Sequence, residues 1–263
     1  MTTDNPTDWT PGAYARFRDF RLRPAIELLA RIGDLPAGEI VDLGCGAGAV
    51  ASALSRRWPG RSLIGVDSSP AMLDEARKTG LYSRLHQADI ADWTPPAPPA
   101  LIFSNAALHW LGDHPRLMPR LAAGLGPGGR LAVQMPRQYH APSHRLLRDL
   151  SAEMFPDRFD FAGWVAPVAE AEVYARLLAP FGDVEAWETT YVQRLAATQG
   201  AHPVRRFTES TAMRPFVGKL SAAEARGFVA AYDVALSRAY PAEADGSVLL
   251  PFRRVFVVLR VTG

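Results

Sequence analysis

The sequence predicts an open α/β fold: a Rossmann-like, seven-stranded sheet with helices on both faces and a helical cap inserted before the last strand. Three observations carry this reading. The apolar run Ile40-Val41-Asp42-Leu43 stops in a glycine turn, Gly44-Cys45-Gly46-Ala47-Gly48. Strand-like and helix-like stretches then alternate through the first half of the chain, as they do around parallel sheets. Finally, a long segment, helical for most of its length, separates the last two strand-like runs.

The elements follow in order. Helical spacing runs from Tyr14 to Ile32, with Phe17, Phe20, Ile26 and Leu29 among its apolar positions. Pro24 within it implies a kink or a junction of two helices. Residues 1–36 are therefore expected to form an N-terminal helical lid, and residues 37–136 a cofactor-binding half. Strand one leads through the turn to a helix over Val50 to Trp58. Strand two, Arg61 to Val66, ends at Asp67, and Ser69-Pro70 opens the next helix as cap and first turn. Strand three, from Leu85, closes with Asp89 and Ile90; strand four is Ala100 to Ser104. A helix over Pro115 to Leu125 and the turn Pro127-Gly128-Gly129 lead into strand five, Arg130 to Met135. Beyond it, residues 137–192 read as a substrate-side insertion ending in a strand, with a helix over Val168 to Leu178 and the strand over Val184 to Val192. Residues 193–250 read as a helical cap over the cofactor edge, and residues 251–263 as the final strand, Val255 to Val261.

The turn indicates the ligand. Glycines at Gly44, Gly46 and Gly48 let a small molecule approach the main chain, and the helix behind offers N–H groups. Dinucleotide enzymes use G-x-G-x-x-G/A, which Gly44, Gly46 and Ala49 also satisfy. Asp42 favours a different cofactor, S-adenosylmethionine. A carboxylate beside the turn repels a pyrophosphate and attracts the cationic amino group of a methionine moiety. Asp67, about twenty residues on, suits two ribose hydroxyls in either cofactor. Asp89 suits an adenine amino group, with Ile90 as an apolar wall. Three carboxylates on one sheet edge describe a nucleoside site that carries a cation rather than phosphates.

Composition agrees with a compact enzyme. The 263 residues are 48% hydrophobic and 21% charged, enough for a large core in one domain with insertions. A net charge of +2 gives no reason to expect nucleic acid. The single cysteine, Cys45, excludes an internal disulfide, fits a reducing compartment and reads as a small packing residue. The N-terminus lacks the basic and apolar regions of a signal peptide, and no apolar run approaches membrane-spanning length. A cytoplasmic monomer without membrane or nucleic-acid partners is the expectation. His140 and His144 are read as loop residues, and no cysteine or carboxylate set with ligand spacing accompanies them, so no metal is expected.

The chain resembles the trans-aconitate 2-methyltransferase family of class I small-molecule methyltransferases over most of its length. The resemblance rests on Arg23-Pro24-Ala25, Asp42-Leu43-Gly44-Cys45-Gly46, Arg57-Trp58-Pro59, Asp67-Ser68-Ser69-Pro70-Ala71-Met72, Ala88-Asp89-Ile90 and Asn105-Ala106-Ala107-Leu108-His109-Trp110-Leu111. It continues through Ala132-Val133-Gln134-Met135-Pro136, Pro142-Ser143-His144, Thr189-Thr190-Tyr191, Arg214-Pro215 and Arg254. The Asn105 run, Gln134-Met135-Pro136 and Arg214-Pro215 are its more specific parts. The chain departs from the usual pattern at Ala47, Ala49-Val50-Ala51, His109 and Arg137-Gln138. The resemblance implies a class I methyltransferase sheet and methyl transfer to a carboxylate of a tricarboxylic acid, giving a methyl ester. It adds Cys45, Ser68, Met72 and Asn105 to the cofactor residues.

A carboxylate acceptor is also reasonable chemically. It is ionised at neutral pH, so methyl transfer needs orientation and cationic groups rather than a general base. Arg23, Arg137, Arg214 and Arg254 can each pair with a carboxylate, and Tyr14, His109, Trp110 and Tyr191 can add hydrogen bonds and an apolar wall. The catalytic expectation is His109, Trp110, Arg214, Arg254, Tyr191 and Arg23. The alternatives are another small acid or natural product, malonyl-chain ester methylation, a non-catalytic adenosylmethionine-binding module and a nicotinamide dehydrogenase.

Overall fold

The structure, a computed structural model, describes residues 18–262, with side chains from 22 onward. Seven strands form one sheet in the order β3-β2-β1-β4-β5-β7-β6. They are β1 (Ile40–Leu43), β2 (Leu63–Asp67), β3 (Arg84–Gln87), β4 (Leu101–Asn105), β5 (Arg130–Pro136), β6 (Gly182–Leu195) and β7 (Val248–Val261). β1 to β5 are parallel, and β7 runs antiparallel to β5. Consecutive residues of β1, β4 and β5 are buried, so both faces of the central sheet are covered. Their β-branched and leucine side chains supply that core at about 1.5–3 kcal/mol for each one fully buried.

The chain divides into two compact units. The first takes the residues up to 136, 167–189 and from 254 on; the second takes 137–166 and 190–253. In the first unit, α1 (Arg18–Ala30), α2 (Ala51–Arg57), α3 (Pro70–Lys78), α4 (His114–Ala123) and α6 (Ala171–Leu178) accompany the sheet. α1 packs on β5, and its Glu27 accepts hydrogen bonds from Trp187 Nε1 (3.0 Å) and Thr189 Oγ1 (2.7 Å). Trp187 in turn stacks on Phe256 of β7, with ring centroids 4.9 Å apart. The second unit holds α5 (Pro142–Met154), α7 (Pro203–Thr208), α8 (Arg214–Val217) and α9 (Ala222–Ala239). There α9 packs along α5: Tyr232 donates its hydroxyl to Ser143 O (2.6 Å), and Ser143 N–H donates to the Tyr240 hydroxyl (3.0 Å).

Several expectations change. α1 continues through Pro24 as one helix; Tyr14 and Phe17 lie outside the described residues. β3 stops at Gln87, where β2 also ends at Asp67; Ala88 N–H still donates to Asp67 O (3.0 Å), and Asp89 stands in the turn beyond it. β7 begins at Val248 and β6 reaches Leu195, so the segment read as cap begins and ends in strand, and Arg254 lies inside a strand rather than at its start. α5 was not expected at all. Pro142 stands at its first turn and buries Leu147 behind it, which places His144 in a helix and not in a loop.

Candidate functional site

The site is built around the end of β1. Gly44, Gly46 and Gly48 all have positive φ (77°, 53° and 78°), a region that other residues enter only with strain. At Gly44 space is also decisive, because an added Cβ would lie 2.2 Å from the Ala107 Cβ. The turn is pinned by Asp67 at the end of β2. Its Oδ2 accepts from Gly46 N–H (2.8 Å) and its Oδ1 from Ser69 N–H (2.9 Å). A carboxylate has about four lone-pair positions, so each oxygen keeps one for a ligand hydroxyl. Ser69 then caps α3, accepting from Met72 N–H (3.3 Å), with Pro70 in the first turn as expected. Met72 is buried beneath this turn, while Ser68 is exposed.

Asp42 is 1% exposed and accepts a 2.6 Å hydrogen bond from the Tyr82 hydroxyl. Burial pushes its carboxyl up to about 7; the Tyr82 hydrogen bond opposes the rise, and the nearby Asp67 charge adds to it. A buried carboxylate whose donor here is a neutral phenol is an attractive seat for a cation. Tyr82 was not anticipated, and no sequence pattern marks it. It matters because its ring fills the space beside two glycines: added Cβ atoms at Gly48 and Gly65 would lie 3.1 and 3.0 Å from it. Cys45 packs in the same cluster with Leu73, Ala76 and Leu85, and burial raises its thiol pKa, which suits the packing role read for it.

Asp89 is exposed, and its Oδ1 accepts from Ala91 N–H (2.8 Å), a side-chain turn that shapes the loop after β3. Arg120 of α4 grips that loop from beneath, donating to the carbonyls of Ile90 (2.8 Å), Ala91 (2.9 Å) and Trp93. This anchor, too, was not legible in the sequence, because it joins residues about thirty positions apart. Ile90 is half-buried and touches the glycine turn: its Cδ1 lies 3.2 Å from the position of a Gly44 Cβ.

Asn105 ends β4, and Ala106 follows it at φ 54°, a strained conformation for a non-glycine residue. A 3-10 turn, Leu108–Trp110, then presents His109 and Trp110 with rings 4.6 Å apart. Trp110 is 47% exposed. The base of the turn is held by buried His114, whose Nε2 lies 3.0 Å from Leu108 O and whose Nδ1 lies 2.6 Å from the Tyr174 hydroxyl. Burial holds the His114 pKa below its ordinary value. Of the arginines, Arg254 is buried on β7 and donates from Nη1 to Gln134 Oε1 (3.3 Å), while Arg23 on α1 is exposed. Arg214 and Tyr191 belong to the second unit; Arg214 opens α8 and is exposed, and Tyr191 is buried. Arg137, half-buried, also belongs there. The first unit by itself thus brings together the glycine turn, Asp42, Asp67, Ile90, Asn105 and Ala107. Among the described residues, no group of three or more His, Cys, Asp or Glu side chains could hold a metal ion, and no helix is long and apolar enough to cross a membrane.

Known proteins are similar to this chain. A methyltransferase-domain family model matches residues 14–179. A trans-aconitate 2-methyltransferase from Methylobacterium nodulans is 43% identical, over 97% of this chain and 99% of its own. The chain belongs to the trans-aconitate 2-methyltransferase family. A second such family member, from Paracidovorax citrulli, is likewise 43% identical, over 96% of this chain and 98% of its own. Among solved structures, the YcgJ protein of Bacillus subtilis is similar with a TM-score of 0.55 at 16% identity, covering 92% of this chain and 100% of that one, which shows the shared α/β fold. Near-complete coverage of the trans-aconitate 2-methyltransferases includes the second unit, so the family likeness is not confined to the cofactor-binding motif.

Proposed function

We propose that this enzyme transfers the methyl group of S-adenosylmethionine to a carboxylate of trans-aconitate, giving the monomethyl ester and S-adenosylhomocysteine. Full-length likeness to trans-aconitate 2-methyltransferases supports the substrate. The observation that carries the cofactor is the buried Asp42 carboxyl beside a turn of three positive-φ glycines. A pyrophosphate would meet repulsion there, whereas an ammonium relieves the cost of burying the charge.

S-adenosylmethionine supplies, when bound, an electrophilic methyl group on a sulfonium. Asp42 is assigned to the methionine ammonium and Asp67 to the ribose hydroxyls. Asp89 is assigned to the adenine amino group, with Ile90 as the apolar wall and Ser68, Met72 and Asn105 as further contacts. Arg23, Arg214 and Arg254 are assigned to the acid, holding it by charge-assisted hydrogen bonds; His109, Trp110 and Tyr191 orient it. The acid arrives ionised, so no residue is needed to remove a proton. A carboxylate oxygen so held would receive the methyl carbon from the bound cofactor, whose sulfur would keep the electron pair of the sulfur–methyl bond.

The test is direct. The purified protein is incubated with methyl-labelled cofactor and a panel of di- and tricarboxylic acids, and esters are identified by mass spectrometry. Labelled trans-aconitate monomethyl ester is expected. Labelling of another acid alone would move the substrate, and binding without any ester would favour a non-catalytic module.

A further inference from the structure

Two buried polar atoms at the edge of the glycine turn lack hydrogen-bond partners: Asn105 Oδ1, an acceptor, and Gln134 Nε2, a donor. They stand on neighbouring parallel strands, opposite one another in register. The register also fixes their height. Asp42 pairs with Phe103, and Phe103 with Ala132, so Asn105 and Gln134 lie two residues further on, level with Gly44. Side chains two apart on a strand share a face, which puts this pair on the face of Asp42. Gln134 is 0% exposed. Its other amide atom, Oε1, accepts from Arg254 Nη1 (3.3 Å), so the amide cannot turn over without opposing N–H to N–H. The donor is therefore fixed, pointing away from Arg254. Immediately after Asn105, the strained Ala106 donates its N–H to Gln134 O (2.9 Å). A buried donor left without an acceptor costs about 1–3 kcal/mol, and such groups concentrate where a ligand completes the bonding.

We propose that Gln134 is a substrate-recognition residue: its Nε2 donates to a carboxylate oxygen of the bound polycarboxylic acid, with Arg254 positioning the amide through Oε1. This rests on the reading of the enzyme as a methyltransferase acting on trans-aconitate. The chemistry fits a carboxylate and not an ammonium or a sulfonium, because the available atom is a donor beside a guanidinium. It also gives Arg254 a task other than charge alone. A lysine at that position cannot hold a planar amide by its oxygen and still present a fork to the acid.

The experiment compares wild type, Gln134→Met and Gln134→Glu. Each is measured for kcat/KM with trans-aconitate, for calorimetric affinity of trans-aconitate in the presence of S-adenosylhomocysteine, for cofactor affinity and for melting temperature. Met matches the volume of Gln and removes the orphaned donor, but it also takes the acceptor from Arg254 Nη1, so its melting temperature should fall modestly, whereas Glu keeps that acceptor and should hold the melting temperature. Its kcat/KM and acid affinity should fall roughly 10- to 100-fold, the loss of one hydrogen bond to a charged acceptor, while cofactor affinity stays within about twofold. Glu, paired with Arg254 and facing a like charge, should fall further than Met. Unchanged kinetics and acid affinity in both variants overturns the proposal, as does a loss that merely tracks a lowered melting temperature, which would mark a structural water on Nε2. Wild-type ester formation separates the two readings. If wild type makes the ester and both variants match it, only the role of Gln134 fails; if wild type makes none, the substrate reading fails and takes this proposal with it.

Discussion

Asp67 spends one lone pair of each carboxylate oxygen on the turn itself, Gly46 and Ser69 N–H, before any ligand is considered. Asp67→Ala should therefore do two things. Cofactor affinity should weaken by about 1.5–3 kcal/mol, the value of charge-assisted hydrogen bonds, and the melting temperature should drop as the turn loosens. Calorimetry showing full affinity in folded Asp67→Ala would remove the ribose assignment. Asp42 yields a pH prediction. Its folded pKa, about 7, lies above the ordinary carboxylate value of 3.8, mainly through burial. The folded protein thus binds this proton more tightly than the unfolded chain, and stability from this group is greatest below pH 4 and is lost as pH rises toward 7. A cofactor ammonium reverses the preference, favouring the ionised form. Binding near pH 6.5 should release a proton, seen as a binding enthalpy that differs between phosphate and Tris buffers. That difference should shrink in Asp42→Asn; equal enthalpies in both buffers for wild type would refute the assignment.

At the scale of elements, the contact between β1 and the segment after β4 decides which glycine matters most. Gly46 has open space around its Cβ position, whereas Gly44 faces Ala107 at 2.2 Å. Both have positive φ, so both substitutions by alanine carry backbone strain, roughly 1 kcal/mol. Only Gly44→Ala adds a collision with backbone-anchored atoms, which the core must absorb. Gly44→Ala is expected to melt at clearly lower temperature than Gly46→Ala in the absence of ligand; equal melting temperatures would show that Ala107 yields freely. The cap of α3 gives a milder case. Ser69→Ala removes the bond to Met72 N–H and should cost about 1 kcal/mol, read from denaturant unfolding.

At the scale of the whole molecule, the proposed reaction needs neither a metal nor a base, because the nucleophile is ionised. Turnover at saturating cofactor should survive EDTA and, provided the arginines and not His109 supply the orienting charge, stay nearly flat from about pH 6.5 to 8.5, while the apparent KM for cofactor falls as Asp42 ionises. Loss of turnover with EDTA, restored by a divalent ion, would sink this mechanism. The acid should depend on Arg214 and Arg254. Arg214→Ala and Arg254→Ala should each lower kcat/KM for the acid by about 2–4 kcal/mol, roughly 30- to 1000-fold, with partial recovery by Lys. Cofactor affinity should hardly move for Arg214→Ala. A fall that only follows unfolding would return that arginine to a structural role.

What the sequence determined by itself is local chemistry repeated along the chain. Ile40–Leu43, Leu63–Asp67 and Arg130–Pro136 are legible as strands because apolar runs ending in turn residues need no distant partner to be recognised. The glycine turn and the Ser69-Pro70 cap are legible for the same reason: their conformational demands fall on adjacent residues. The end of β3, the helix over Pro142–Met154 and the early start of β7 were not, because strand length follows from pairing and helix formation from burial against other elements. The finer parts of the site belong wholly to tertiary structure. Tyr82 on Asp42 spans forty positions, and Arg254 on Gln134 spans one hundred and twenty. No pattern along the chain encodes which buried donor finds an acceptor, since that depends on how strands far apart in sequence are brought into register.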